Sequence, residues 1–397
     1  MPKPNPLAPV TPVLSQAASA WKELPLPDHE PDPHSAYDNR SKTSPGEMQI
    51  IGARVRGKKH KHEGTHCDDW FEMGVSGDWT ILAVADGAGS KKFSRVGSKS
   101  ACLEAVQFLS KHLAEHRIAQ RKEWKEEAFQ ERDLAQVSQF MVEAVQAAWM
   151  AVVQAANKRL SGALDADDPY TKVLGRPLNH GDLSTTLLLA VHTTVMRAGA
   201  PTNLVFGCGV GDGMIAGIGN NGETSLLMTA DSGAHSGETR FLDERETAPE
   251  KVKSRVNLFL GPLRALMLMT DGVADDYFPN DPGMSHLYGD LLLNGIIGSK
   301  ISVSQEKEPA ALALEKVTEE SYMNRSEHTV IRSIKSIAEQ LGKTPTEIWS
   351  NPKLLEHFAK GDPICQSPDP SERLRLWLDN YQVRGSFDDR TLVAMYH

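Results

Sequence analysis

Cysteine is scarce in this chain. Cys67, Cys102, Cys208 and Cys365 are the only four in 397 residues, and no two form a C-x-x-C pair. That excludes a disulfide scaffold and a paired-thiol redox motif, and it fits free buried thiols in a reducing cytosol. No apolar run approaches the ~20 residues of a bilayer-spanning helix. The opening MPKPNPLAPVTPVLSQAASAW breaks its apolar residues with prolines, so no secretory h-region forms. A cytoplasmic protein with no membrane partner is expected. Clustered positive charge is also missing. The formal net charge is −9, and the basic stretch from Arg54 to Lys61 is short. The acidic balance argues against a broad nucleic-acid-binding surface.

What is present suits one large domain or two ordinary ones, with 40% hydrophobic residues. Residues 1–45 hold ten of the 23 prolines and read as a disordered or docking tail, ahead of a globular region from 46 to 397. Apolar patterning predicts strands at 48–56, 70–76, 79–85, 183–192, 203–208, 213–218, 224–229, 264–270 and 390–396. A 3.6-residue period predicts helices over 94–116 and 122–160. Residues 280–385 read as a mostly helical, polar insertion before the last strand, either a partner-binding or channel-covering subdomain or a surface decoration. Runs of strands and runs of helices point to an α+β fold with antiparallel sheets.

Aspartates gather at the ends of the predicted strands. ILAVADGAGS delivers Asp86-Gly87, LMLMTDGV delivers Asp271-Gly272, DDRTLVA begins with Asp388-Asp389, and THCDDWF carries Asp68-Asp69. Glycine after aspartate permits a sharp turn and exposes a carbonyl as a further hard-oxygen ligand. Any one Asp-Gly taken alone reads as a turn rather than a ligand; the recurrence at several strand ends is what points to a site. Several carboxylates brought together would repel one another, and divalent cations would relieve that conflict. All-oxygen sites suit Mg²⁺ or Mn²⁺, and two such ions about 3.5–4 Å apart can bind a phosphate and activate a water.

The ordered motifs CDDWF, VADGAGS, STTLLLA, GVGDG, MTDGV and DDRTLV resemble the metal-dependent protein serine/threonine phosphatases of the PP2C type. GAHSGETRFLDE (233–244) is similar to a segment of a bacterial branch of that family. The resemblance implies an α-β-β-α sandwich of two antiparallel sheets flanked by helices. It also implies two Mg²⁺ or Mn²⁺ ions between the sheet edges and a weaker third ion. On that likeness Asp86 bridges both ions and Gly87 offers its carbonyl. Asp271 and Asp388 complete one site, with Asp389 as the alternative in register. Asp68 and Asp69 serve the second site, and Asp212 the third. The implied activity is hydrolysis of phosphoserine or phosphothreonine in a phosphorylated protein by a metal-activated water, with Asp86 and Asp69 catalytic. The alternatives are a catalytically weak pseudophosphatase acting as a binding module, and a small-molecule phosphohydrolase. The tail and the insertion are candidate partner-binding segments.

The family's phosphate-binding arginine is absent, with Gly64 near its place. Lys61 and His62 are the expected substrate-binding substitutes, His62 also as a catalytic group, with His60 as a further choice. Lys91, Lys92 and Arg95 are the fallback. The family's histidine after Asp-Gly is Ala88 here. HKHEGTHC reads as a loop rather than a zinc site. Ser184-Thr185-Thr186 reads as strand interior.

Overall fold

The computed structural model describes residues 21–115, 128–160, 167–228, 239–298, 331–359, 367–381 and 387–397. Alternation along the strands decides the architecture. In β4 (Trp79–Ala85), Ile81, Ala83 and Ala85 point one way while Leu82 and Val84 point the other, and all seven residues are buried. The same holds in β10 (Ala265–Met269) and β11 (Arg390–Tyr396): Leu266, Leu268, Val393 and Met395 face inward, Met267, Met269, Leu392 and Ala394 outward. Strands apolar on both faces require cover on both. The inward sets meet in one cluster between two sheets, and the outward sets meet helices.

One sheet has six antiparallel strands in the order β1 (Tyr37–Thr43), β2 (Gln49–Val55), β11, β10, β7 (Met214–Ile218) and β8 (Thr224–Leu226). The other has five: β3 (Trp70–Ser76), β4, β5 (Leu187–Arg197), β6 (Ala200–Val210) and β9 (Asn257–Gly261). A short helix α1 (Lys58–Glu63) links the two sheets. On the five-stranded sheet lie α2 (Ser94–Leu113) and α3 (Ala128–Leu160), with α4 (Pro169–Leu174) and α5 (Pro249–Arg255) beside them. After α6 (Asp271–Ala274) come α7 (Asn280–Leu293), α8 (Ile334–Leu341), α9 (Pro345–Trp349), α10 (Pro352–Ala359) and α11 (Pro370–Asn380). Met284, Leu287, Leu291, Trp377 and Leu378 of this group pack on the outward residues of the six-stranded sheet. The α-β-β-α sandwich implied by the motifs is thus observed. The described part of 280–385 supplies its second helix layer.

The tail reading needs correction at its boundary. Tyr37–Thr43 is a strand, paired from Tyr37↔Val55 to Thr43↔Gln49. YDNRSKT lacks an apolar pattern because an edge strand has a partner on one side only and keeps much of its surface wet. Upstream of it, the Asp32 carboxylate accepts from the Arg159 guanidinium at 2.6 and 2.7 Å and from the Tyr170 hydroxyl at 2.8 Å. The Arg95 guanidinium donates to the carbonyls of Asp32 (2.8 Å) and Pro31 (2.9 Å). The Trp21 ring stacks on Phe387 at 4.9 Å. Residues 1–20 lie outside the described residues. Deleting 1–45 is accordingly expected to lower the melting temperature by several degrees, because it strips a sheet strand and these ion pairs; thermal unfolding of the truncated chain checks this, and an unchanged transition would contradict it.

Candidate metal centre

Strand register carries the acidic residues to one edge of the sandwich. Trp70 pairs with Ala85, so Asp69, which precedes β3, and Asp86, which follows β4, stand side by side. Met269 pairs with both Leu392 and Met214. Asp271, Asp388-Asp389 and Asp212 therefore leave the ends of three adjacent strands of the other sheet. GVGDG is the crossover between the sheets. It leaves β6 through Gly211, whose φ of +129° suits glycine, and enters β7.

Asp86, Asp212 and Asp271 each offer a carboxylate oxygen within 4.8 Å of the others. A second group of the same kind is His60, Asp388 and Asp389. Backbone and hydroxyl contacts hold these groups in place. The Asp86 carbonyl accepts from the Thr186 N–H (2.8 Å) and the Thr185 hydroxyl (2.8 Å). Thr185 and Thr186 precede β5 and brace the turn, which corrects their reading as strand interior. The hydroxyls of Thr270 (2.9 Å) and Thr391 (2.6 Å) donate to Asp69 Oδ2. The Thr239 hydroxyl donates to Asp212 Oδ2. A Cβ on Gly87 would lie 2.6 Å from the Asp68 carbonyl oxygen, so only glycine brings the two acidic turns this close.

Asp388 and Asp389 divide their work. Asp389 is buried, and its Oδ1 and Oδ2 accept from the N–H groups of Gly57 and Asp68, each at 2.6 Å. It clasps the end of β2 to the start of β3. The Asp388 side chain is 46% exposed and stands at the open edge. Its Oδ1 accepts from the Asp389 N–H at 2.9 Å and faces His60 Nε2 at 3.6 Å.

The electrostatics are those of a site short of positive charge. Burial raises the Asp86 carboxyl well above the usual range, and the charges of Asp271 and Asp69 add to it. Burial and the charges of Asp212 and Asp388 do the same to Asp271. Asp68 is pushed up to about 8 by burial and Asp389, and Asp69 up to about 7 by the same two causes. For His60, burial opposes the imidazolium, but the carboxylates of Asp389, Asp388 and Asp68 prevail and raise it to about 10. Among the described residues, Asp69 Oδ1 and Asp212 Oδ1 are buried with no hydrogen-bond partner, and buried His60 Nε2 meets Asp388 and Asp389 only at ion-pair distance. Hard, mutually repelling oxygens with unused lone pairs fit divalent cations.

The two expected phosphate-binding groups are not brought to this edge. Lys61 Nζ pairs with Asp379 at 2.6 Å, and His62 Nδ1 accepts from the Lys22 N–H at 3.1 Å while its ring meets Trp21 edge-on. Of HKHEGTHC, His60 to Glu63 belong to the short helix α1 (Lys58–Glu63) rather than to a loop, Gly64 caps it, and Thr65 to Cys67 are loop as expected. Successive residues turn by about 100°, so with His60 facing the carboxylates, His62 faces nearly away. Arg95, a fallback, is buried under the Asp32 strand-entry segment. Lys59 carries no motif signal in the sequence, yet it reaches the acidic edge. Its Nζ lies 3.6 Å from where a Gly89 Cβ would stand, beside the Asp86-Gly87 turn; against burial, His60 and the Asp389 N–H hold the Asp388 carboxyl low, with a smaller part from the Lys59 charge. Of GAHSGETRFLDE, residues 233–238 lie outside the described residues.

A sandwich with acidic turns from both sheets converging at one edge defines a class of candidate divalent-cation proteins. The family within that class is settled by sequence: the Protein phosphatase 2C family model matches residues 56–293, and the chain belongs to that family. The match spans Asp68, Asp69, Asp86, Asp212 and Asp271, and ends before Asp388. Similar solved structures include the serine/threonine phosphatase Stp1 from Staphylococcus aureus, at 12% identity and TM-score 0.36, covering 93% of this chain and 97% of that one. Another is the S. agalactiae serine/threonine phosphatase, at 13% identity and TM-score 0.35, covering 91% and 99%. No curated protein matches the sequence. Among the described residues, no helix is long and apolar enough to cross a membrane.

Proposed function

We propose that this chain hydrolyses phosphoserine and phosphothreonine in proteins, using two Mg²⁺ or Mn²⁺ ions and a weaker third. The observation that carries the reading is the cluster of aspartates whose buried oxygens lack partners, in a chain of this family. Asp86, Asp271 and Asp388 would hold one ion, and Asp86, the Gly87 carbonyl, Asp68 and Asp69 the other. Asp212 would serve the third. When bound, such ions supply Lewis acidity toward a phosphoryl oxygen and toward a water.

The protein's own groups prepare that chemistry. Thr270 and Thr391 fix Asp69 Oδ2 and leave Oδ1 turned toward the acidic cluster. Thr185 and Thr186 fix the backbone of Asp86, so its carboxylate is aimed before any ligand arrives. The open edge beside Asp388 admits substrate. Lys59 is the ammonium best placed to meet an incoming phosphate dianion, in the role the sequence reading gave to Lys61 and His62.

Release of phosphate from a phosphothreonine peptide should require Mn²⁺ or Mg²⁺ and stop with chelator. Phosphopeptide turnover well above that of free phosphometabolites separates this reading from a small-molecule phosphohydrolase. No release from either substrate with saturating Mn²⁺ would leave the pseudophosphatase, and full activity of verified metal-free protein would end the proposal.

A further inference from the structure

The imidazole of His60 is 3% exposed, on α1 between the two sheets. Its Nδ1 lies 2.7 Å from the His66 carbonyl oxygen. A carbonyl only accepts, so Nδ1 carries a proton there. The other nitrogen, Nε2, is left facing Asp388 Oδ1 at 3.6 Å and Asp389 Oδ2 at 3.9 Å. It makes no close hydrogen bond but pairs by charge with both carboxylates, and a bound cation would displace its proton. Both separations exceed the hydrogen-bond limit of about 3.2 Å. They are close to the ~3–3.5 Å between atoms that share an ion at about 2.1 Å, and a shift of a few tenths of an ångström closes the difference. A ring whose far N–H is tied to a carbonyl, with the near nitrogen aimed at carboxylates, is the usual arrangement of a metal-binding histidine.

We infer that His60 Nε2 is a direct ligand, with Asp388, of one cation in this centre. The inference rests on the reading that the acidic edge binds divalent cations. The site is then mixed nitrogen–oxygen rather than all-oxygen. Imidazole favours transition metals over Mg²⁺. The chain should therefore select Mn²⁺ or a neighbouring first-row ion over Mg²⁺ at this position. Asp389 keeps its clasp on Gly57 and Asp68 and supplies charge from behind. The short helix is set by Gly64, whose φ of +70° ends it with a backbone bond to His60.

The test is pulsed electron paramagnetic resonance of the full chain loaded with Mn²⁺. A coordinated imidazole gives a ¹⁴N modulation, which should convert to the ¹⁵N pattern when the protein is grown with ¹⁵N-histidine. This measurement uses the unaltered chain and so is independent of any variant's folding. His60→Gln should remove the modulation and lower the Mn²⁺-over-Mg²⁺ preference at least about tenfold, while His62→Ala leaves both in place. Mn²⁺ bound with no histidine nitrogen coupling overturns the inference and spares the cation reading. Coupling that survives in folded His60→Gln, or vanishes in His62→Ala, also overturns it. Failure to bind Mn²⁺ at all removes both.

Discussion

Asp86→Asn should abolish phosphate release, by roughly 10³-fold or more, equivalent to about 4 kcal/mol of transition-state stabilisation. The amide keeps the shape and deletes the charge expected to bridge two cations. The same substitution should act on stability in the opposite direction. In metal-free protein the Asp86 carboxyl is raised by burial and by its neighbours Asp271 and Asp69. A carboxyl raised in this way stabilises the fold while it is protonated, below its unfolded value. That contribution is lost as pH climbs through the raised folded value. Metal-free Asp86→Asn should therefore melt at or above the parent, and the advantage should widen toward alkaline pH. Added Mn²⁺ should lift the parent's transition and barely move the variant's, since a ligand stabilises only the state that binds it. Near-parental turnover would remove Asp86 from the centre.

Gly272→Ala should be the most damaging single methyl near the site. Its Cβ would stand 2.0 Å from the Asp389 carbonyl oxygen, while a Cβ on Gly57 would stand 2.2 Å from the Asp388 carbonyl carbon. The Asp388-Asp389 backbone thus runs between two glycines, one after β2 and one after β10. No rotamer change can relieve a clash between backbone and Cβ. A cost of about 3 kcal/mol is expected, with a fall in melting temperature of roughly 5–10 °C. Turnover should fall as well, because the displaced segment carries Asp388. Gly175→Ala is the control: its φ is +66° but nothing among the described residues lies within 4 Å, so backbone strain acts without a clash. A Gly272→Ala protein that melts and turns over like the parent would show that the segment is free to move.

The legible parts of the sequence were those where two demands coincide. β4, β10 and β11 are apolar on both faces and stop or start at aspartate, so the run of side chains and the acidic turn each mark the same boundary. β1 was missed because an edge strand needs neither signal. β9, NLFLG, is short and mostly half-exposed. Lys61 and His62 are near Asp68 along the chain, but a six-residue helix and the left-handed turn at Gly64 separate nearness in sequence from nearness in space. His60 and Lys59 sit in the same polar string, and nothing in the string distinguishes them. Their positions follow from the helix phase, which is set by contacts as distant as the Lys59 N–H donating to the Phe387 carbonyl.

The place of β11 bears on how the protein is made. It lies in the middle of its sheet, between β2 and β10, with Arg390 opposite Val55. On a ribosome, β2 emerges early and β11 late, and until then both neighbours present bare edges. Such long-range closure is slow and leaves sticky intermediates. The partly built chain also lacks Asp388, so the proposed cation centre is incomplete until this last strand emerges. Translation order would then leave the rims of β2 and β10 unpaired until the final strand closes the sheet and completes the acidic edge together.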